Sequence, residues 1–145
     1  MYKRQGNKEA VDRAVEIAKG KGAKRAMLLP VSAPFHCSLM QPAADVMADA
    51  LSKVSIAKPV VPLVSNVLAQ AISEPDEIRR RLIEQVTGTV RWRESVAYMA
   101  GEGVTKFYEI GAGKVLTGLV KRIADGAVGV SVGSPADIAA AKAAG

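Results

Sequence analysis

The sequence contains only one cysteine and one histidine among its 145 residues. A single cysteine cannot form a disulfide within the chain, and Cys37 with His36 cannot supply the ligands of a structural zinc site. Long apolar runs are also missing, because glycine, proline or charge interrupts every hydrophobic stretch, and the start lacks the apolar core of a secretory signal. We therefore expect a cytoplasmic protein with no metal and no membrane association.

Aromatic residues are equally scarce, with one Trp, three Tyr and two Phe. The net charge of +6 is concentrated at the start, where residues 1–25 carry eight basic and three acidic side chains. Such a face suits an acidic partner, but no aromatic stacking platform interleaves with it, so we expect no nucleic acid. A solvated surface and a binding module for an acidic partner both remain open.

What the sequence does contain is regular apolar spacing typical of an α/β protein. Helices are predicted from Asn7 to Gly20, from Pro42 to about Val54, from Pro75 to about Val86, from Trp92 to about Ala100, from Leu116 to Ile123 and after Ser134. Strands are predicted over 26–31, 60–65, 104–110 and 127–132. The second half thus predicts a parallel sheet, and the first half a small α+β subdomain.

Three helix starts carry recognisable signals. Pro42 is favoured as the first residue of the second helix, although Ser38 and Gln41 could instead form a capping box ahead of it. Ser73 and Asp76 are predicted to cap the third helix. Residues 134–137 (SPAD) predict a cap for the last one.

The sole histidine, His36, follows a strand-like run and precedes a helix. Histidine can exchange a proton near neutral pH, so it is a candidate general base, and a packing histidine is the alternative. Cys37 is a poor nucleophile partner because adjacent residues of an extended segment point to opposite faces. A cysteine hydrolase is therefore disfavoured, and no Gly-x-Ser-x-Gly elbow is present.

The glycine-rich turn at residues 111–114 (GAGK) is neither a Walker A loop nor a dinucleotide fingerprint. The simplest interpretation of this motif is a turn between a strand and a helix, where glycine is needed for its conformational freedom. The N–H groups at the start of the following helix could also bind an anion.

Together these motifs resemble the malonyl-CoA:acyl carrier protein transacylase family. Residues 31–40 (VSAPFHCSLM) resemble its active-site histidine segment, and residues 62–67 (PLVSNV) resemble the strand that follows. Gln85, seven residues before Trp92, and residues 108–119 (YEIGAGKVLTGL) match two later positions. The resemblance runs from about residue 6 to the C-terminus.

The resemblance implies the fold and its division. It implies part of the α/β-hydrolase-like parallel sheet of an acyltransferase, with an incomplete ferredoxin-like subdomain over 6–66 and the large α/β subdomain over 67–145. Family members are about twice as long, and their serine nucleophile lies upstream. The chain is therefore expected to be the C-terminal half, without the nucleophile and inactive alone.

The resemblance also implies the chemistry. A Ser–His dyad would transfer malonyl from malonyl-CoA to the thiol of acyl carrier protein, with no cofactor and with a monomeric full-length enzyme. His36 matches the catalytic base, and Gln85 matches the position whose main-chain carbonyl orients it. Asn66 matches a residue near the active site. Phe35 matches a position where bulk accompanies preference for malonyl over branched units.

Overall fold

The computed structural model describes residues 4–143. Among these residues, six α-helices form: α1 (Lys8–Gly20), α2 (Gln41–Ser52), α3 (Pro75–Thr87), α4 (Trp92–Gly101), α5 (Val115–Ile123) and α6 (Pro135–Ala143). A short 3-10 helix spans Ser38–Met40. Four strands form: β1 (Leu63–Ser65), β2 (Gln70–Ile72), β3 (Lys106–Ile110) and β4 (Val128–Val132). All six predicted helices are thus present, and the α/β class is confirmed.

The chain divides into two compact units. Among the described residues, the first unit holds 4–67 and 71–90, and the second holds 68–70 and 91–143. Helix α3 belongs with the first unit because it packs against α2. The predicted subdomain boundary after residue 66 refers to the complete family fold and stays a prediction.

The second unit contains a parallel βαβ arrangement. Strands β3 and β4 pair in parallel, with Lys106 opposite Val128 and Ile110 opposite Val132. Helix α5 connects them and packs on both strands, as a crossover helix does. The core consists of Val96 on α4, Val120 on α5 and Ala124 directly after α5, surrounded by partly buried apolar residues that include Trp92, Met99 and Phe107.

The glycine-rich turn joins β3 to α5 and is closed by an internal carboxylate. Gly111 and Gly113 adopt φ angles of 133° and 98°, which glycine tolerates best. The Glu109 carboxylate accepts hydrogen bonds from the N–H groups of Leu116 (3.1 Å) and Thr117 (2.7 Å). The Glu109 carboxylate therefore binds the N–H groups that were a candidate site for an external anion. The structure agrees with the simpler interpretation, in which the glycines form a turn between a strand and a helix.

The first unit has less regular structure than predicted. The prediction of a strand over 26–31 is wrong, because among the described residues this segment forms no strand and joins no sheet. A strand needs a partner for its N–H and C=O groups. The described strands β1 and β2 pair with each other, so neither serves as a partner for residues 26–31. The predicted strand over 60–65 shortens to β1, and β2 was not predicted.

The helix starts favour one of two capping alternatives at α2 and correct the cap predicted for α3. Helix α2 begins at Gln41 with Pro42 in its first turn, close to the favoured start, and Ser38 forms no side-chain cap. Helix α3 begins at Pro75 after Glu74, which is extended as a residue before proline prefers, so the Ser73 cap is wrong. The Ser134 cap on α6 is confirmed, since its Oγ accepts a hydrogen bond from the Asp137 N–H at 3.2 Å.

Candidate active site

The candidate site lies in the first unit, where His36 meets the end of α3. The His36 Nδ1 atom lies 2.9 Å from the main-chain carbonyl oxygen of Gln85. A carbonyl only accepts hydrogen bonds, so Nδ1 must carry the proton. In the neutral ring, the Nε2 atom then keeps the lone pair that a general base requires.

The Gln85 carbonyl is available because α3 ends two residues later, at Thr87. The last four carbonyls of a helix have no partner within that helix. One of them, at Glu84, accepts the Gly88 N–H at 2.8 Å. The carbonyl of Gln85 accepts from His36 instead, so the helix end supplies the group that orients the ring.

The backbone of His36 is unusual in a way that sequence reasoning does not reveal. Its φ angle is 62°, in the left-handed region that few residues other than glycine adopt. Hydrogen bonds hold the turn around it, including Phe35 N–H to the Ala33 carbonyl at 2.9 Å. Unfavourable backbone geometry persists only when its surroundings hold it, and it concentrates at functional sites.

Cys37 does not pair with His36. Its thiol donates a hydrogen bond to the Pro34 carbonyl at 3.0 Å, while the imidazole Nδ1 faces Gln85. The two side chains therefore have separate main-chain partners. This arrangement agrees with the geometric argument against a cysteine hydrolase.

Two further predicted residues lie beside the site. Asn66 and Gln85 line one cleft of about 170 Å³, which Ser65 and Arg81 share. Asn66 is partly buried there, directly after β1. Phe35 adjoins His36 in sequence and leaves 45% of its surface exposed.

Within residues 4–143, no helix is long and apolar enough to cross a membrane. The same residues contain no group of three metal-ligating side chains. On the basic helix α1, Lys8 pairs with Asp12 at 2.6 Å and Lys19 with Glu16 at 2.8 Å. Two of its cations are thus neutralised locally, which weakens the case for an acidic-partner module.

Comparison with known proteins identifies relatives of one kind. No family model matches the chain. The malonyl CoA-acyl carrier protein transacylase of Escherichia coli is 49% identical over 136 residues, and that of Bacillus subtilis is 48% identical over 118. These matches cover 94% and 81% of this chain but 44% and 37% of the relatives.

Solved structures agree with these sequences. The acyl-carrier-protein-S-malonyltransferase of Bartonella henselae superposes with a TM-score of 0.88 and 50% identity, covering 96% of this chain and 44% of that one. A malonyl-transacylase in complex with a type II PKS acyl-carrier protein superposes equally well, with 41% identity over 97% of this chain and 45% of that one. The chain is therefore homologous to malonyl CoA-acyl carrier protein transacylases and corresponds to somewhat less than half of their length.

Proposed function

We propose that this chain supplies the histidine portion of a malonyl-CoA:acyl carrier protein transacylase. The observation that carries the proposal is the hydrogen bond from His36 Nδ1 to the Gln85 carbonyl. It leaves Nε2 as the basic atom of a ring whose orientation is fixed. The serine nucleophile belongs to the part of the relatives that this chain does not span.

The proposed reaction is two acyl transfers with the same proton carrier. As the serine oxygen attacks the malonyl thioester carbon, His36 Nε2 accepts its proton. The C–S bond then breaks, and the imidazolium returns that proton to the departing CoA sulfur. In the second half, the acyl carrier protein thiol gives its proton to Nε2 and attacks the malonyl ester, and the serine oxygen leaves with that proton.

The remaining roles follow from the same proposal. Asn66 lines the cleft beside Gln85 and would contact substrate there. Phe35 would narrow the acyl site toward malonyl and against branched units. Only a proton and an acyl group move, so no cofactor is needed beyond the two substrates. We assign the complete enzyme to the cytoplasm and expect it to be a monomer.

The test is a chimera in which residues 6–145 replace the matching segment of the Escherichia coli relative. Purified chimera is mixed with labelled malonyl-CoA and pantetheine-bearing acyl carrier protein, and label on the carrier is counted. We expect turnover from the chimera and none from the isolated chain. Turnover of about 1 per second or more, ordinary for an enzyme, by the isolated chain would contradict the need for an external serine.

The His36→Asn variant of the chimera tests whether His36 is the general base. Asparagine tolerates a positive φ, so the turn is kept while the base is removed. We expect a loss of about 10²- to 10⁴-fold in kcat, as for removal of a general base. Cys37→Ser is the matched control, because it keeps a donor to the Pro34 carbonyl. A loss below roughly threefold in the folded His36→Asn chimera would rule out the base role.

A further inference from the structure

The side chain of Gln85 makes a contact that its main-chain role does not require. While the Gln85 carbonyl faces His36, its side-chain Nε2 donates a hydrogen bond to the carbonyl of Gly88 at 3.0 Å. The bond joins the last turn of α3 to the chain that leaves it. One residue thus holds the imidazole with its main chain and the end of its own helix with its side chain.

The helix end needs such support because terminal turns fray. Carbonyls of the last turn lack partners within the helix, so little opposes unwinding there. If α3 unwound past Gln85, the carbonyl that orients His36 would turn away from Nδ1. The bond from Nε2 to Gly88 must break before that can happen.

The residue that receives this bond is closely packed. A Cβ atom on Gly88 would lie 2.8 Å from Val67 Cγ2 and 2.9 Å from the Glu84 carbonyl oxygen, so a larger residue would not fit there. The Gly88 N–H also donates to the Glu84 carbonyl at 2.8 Å. The side-chain amide of Gln85 therefore adds a second hydrogen bond between Gly88 and the last turn of α3.

We propose that the Gln85 side-chain amide is a positioning group for His36. By tying α3 to Gly88, it keeps the Gln85 carbonyl directed at Nδ1 and selects the tautomer with a free Nε2. This inference rests on the proposed function, because the free Nε2 atom matters only if His36 acts as a base. Its test needs neither a serine nor a substrate.

The experiment uses the intact 145-residue chain, whose only histidine gives unambiguous imidazole signals in ¹⁵N NMR. Tautomer populations come from the Nδ1 and Nε2 shifts, and the exchange rate of the Nδ1 proton reports how firmly the carbonyl holds it. Gln85→Met keeps the carbonyl, the length and the helix propensity but removes the donor. We expect Nδ1 exchange to accelerate roughly five- to tenfold, the ratio that one net hydrogen bond represents, with a loss of the Nδ1–H tautomer.

Gln41→Met is the matched control, because the Gln41 Nε2 also donates one hydrogen bond in the first unit, at the exposed Asp45 carboxylate (2.8 Å), and makes none to Gln85 or Gly88. It should leave both readouts unchanged. If folded Gln85→Met stays within twofold of the parent chain, or Gln41→Met changes the readouts equally, the proposal is overturned. If Gln85→Met does not fold, Gln85→Asn, whose amide is too short to reach Gly88, decides by the same criteria.

The outcome is separable from that of the proposed function. A tautomer change in Gln85→Met with an inactive chimera would keep the positioning role and remove the transacylase assignment. An active chimera together with an unchanged tautomer in Gln85→Met would support the transacylase assignment and overturn the positioning role.

Discussion

The two units of the chain hold their structure by different means. The second has a small apolar core, in which the Val96 side chain is fully buried, and a parallel strand pair covered by α5. Among the described residues of the first unit, the apolar side chains that are buried are those of Ala44 and Ile78. Both units leave other apolar residues exposed, such as Val31 in the first and Ile110 in the second. The candidate active site nevertheless lies in the first unit.

The contrast shows that His36 is positioned by hydrogen bonds at a helix end and in a turn, rather than by burial. The ring is held by a helix-terminal carbonyl, and its backbone by a turn that the Cys37 thiol closes. Apolar burial contributes about 25 cal/mol per Å², whereas one such hydrogen bond contributes about 1 kcal/mol net. We therefore expect the first unit to open locally at lower free energy than the second.

The sequence provides one probe for each unit. Trp92, the only tryptophan, packs against the core of the second unit. His36, the only histidine, lies in the first. Tryptophan fluorescence and histidine NMR can therefore follow the two units separately in the unmodified chain.

The largest expected effect comes from the second core. Val96→Ala removes two methyl groups from a fully buried position and should lower the free energy of unfolding by about 2–3 kcal/mol, since a cavity remains. Urea titration followed by Trp92 fluorescence measures this change. The matched control is Val60→Ala in the first unit, where the side chain is fully exposed and the expected change is within about 0.5 kcal/mol. Equal losses of unfolding free energy in the two variants would contradict the claim that apolar burial stabilises the second unit.

The fold of the second unit was predictable because its signals are local and agree. Strand, glycine turn, helix and strand follow in order over residues 104–132, and the parallel pairing of β3 with β4 follows from the helix between them. The predicted start of α3 at Pro75 is correct, and only the Ser73 cap fails, because the helix begins directly at the proline. There the residue before proline became the N-cap.

The first unit was harder because its structure depends on distant partners. An apolar run such as residues 26–31 indicates a strand, but pairing depends on a neighbour that the local sequence cannot reveal. His36 is a candidate base because it is the only histidine and lies between a predicted strand and a helix, whereas Gln85 is identified by family resemblance alone. The φ of 62° at His36 and the Gln85 side-chain bond to Gly88 carry no sequence signal.

One pH-dependent effect should arise in the second unit, at the start of α5. Hydrogen bonds from the Thr117 hydroxyl, at 2.6 Å, and from main-chain N–H groups lower the pKa of Glu109 below its ordinary value of 4.5. Because the folded state favours the ionised carboxylate, its stabilisation is present above pH 4.5 and is lost as the pH falls through the lowered pKa.

Glu109→Gln should remove that part of the pH dependence. Thermal midpoints followed by Trp92 fluorescence should differ between parent and variant at pH 7, with the parent more stable, and should converge as the pH falls through the lowered pKa of Glu109. Asp137, whose pKa is lowered by the Ser134 hydroxyl, stays in both proteins and cancels in the difference. A difference independent of pH would show that the Glu109 charge does not stabilise the α5 N-terminus.

The smallest effect should come from Cys37→Ala in the first unit. A thiol is a weak donor, so losing its bond to the Pro34 carbonyl should cost about 0.5–1 kcal/mol, measured by urea titration with the His36 signals as the probe. Cys37→Ser restores a donor and should recover most of that loss. The Trp92 transition should not move in either variant if the turn matters only to its own unit. An equal shift of both probes would mean that the units unfold together, and the contrast between them would then describe their packing but not their stability.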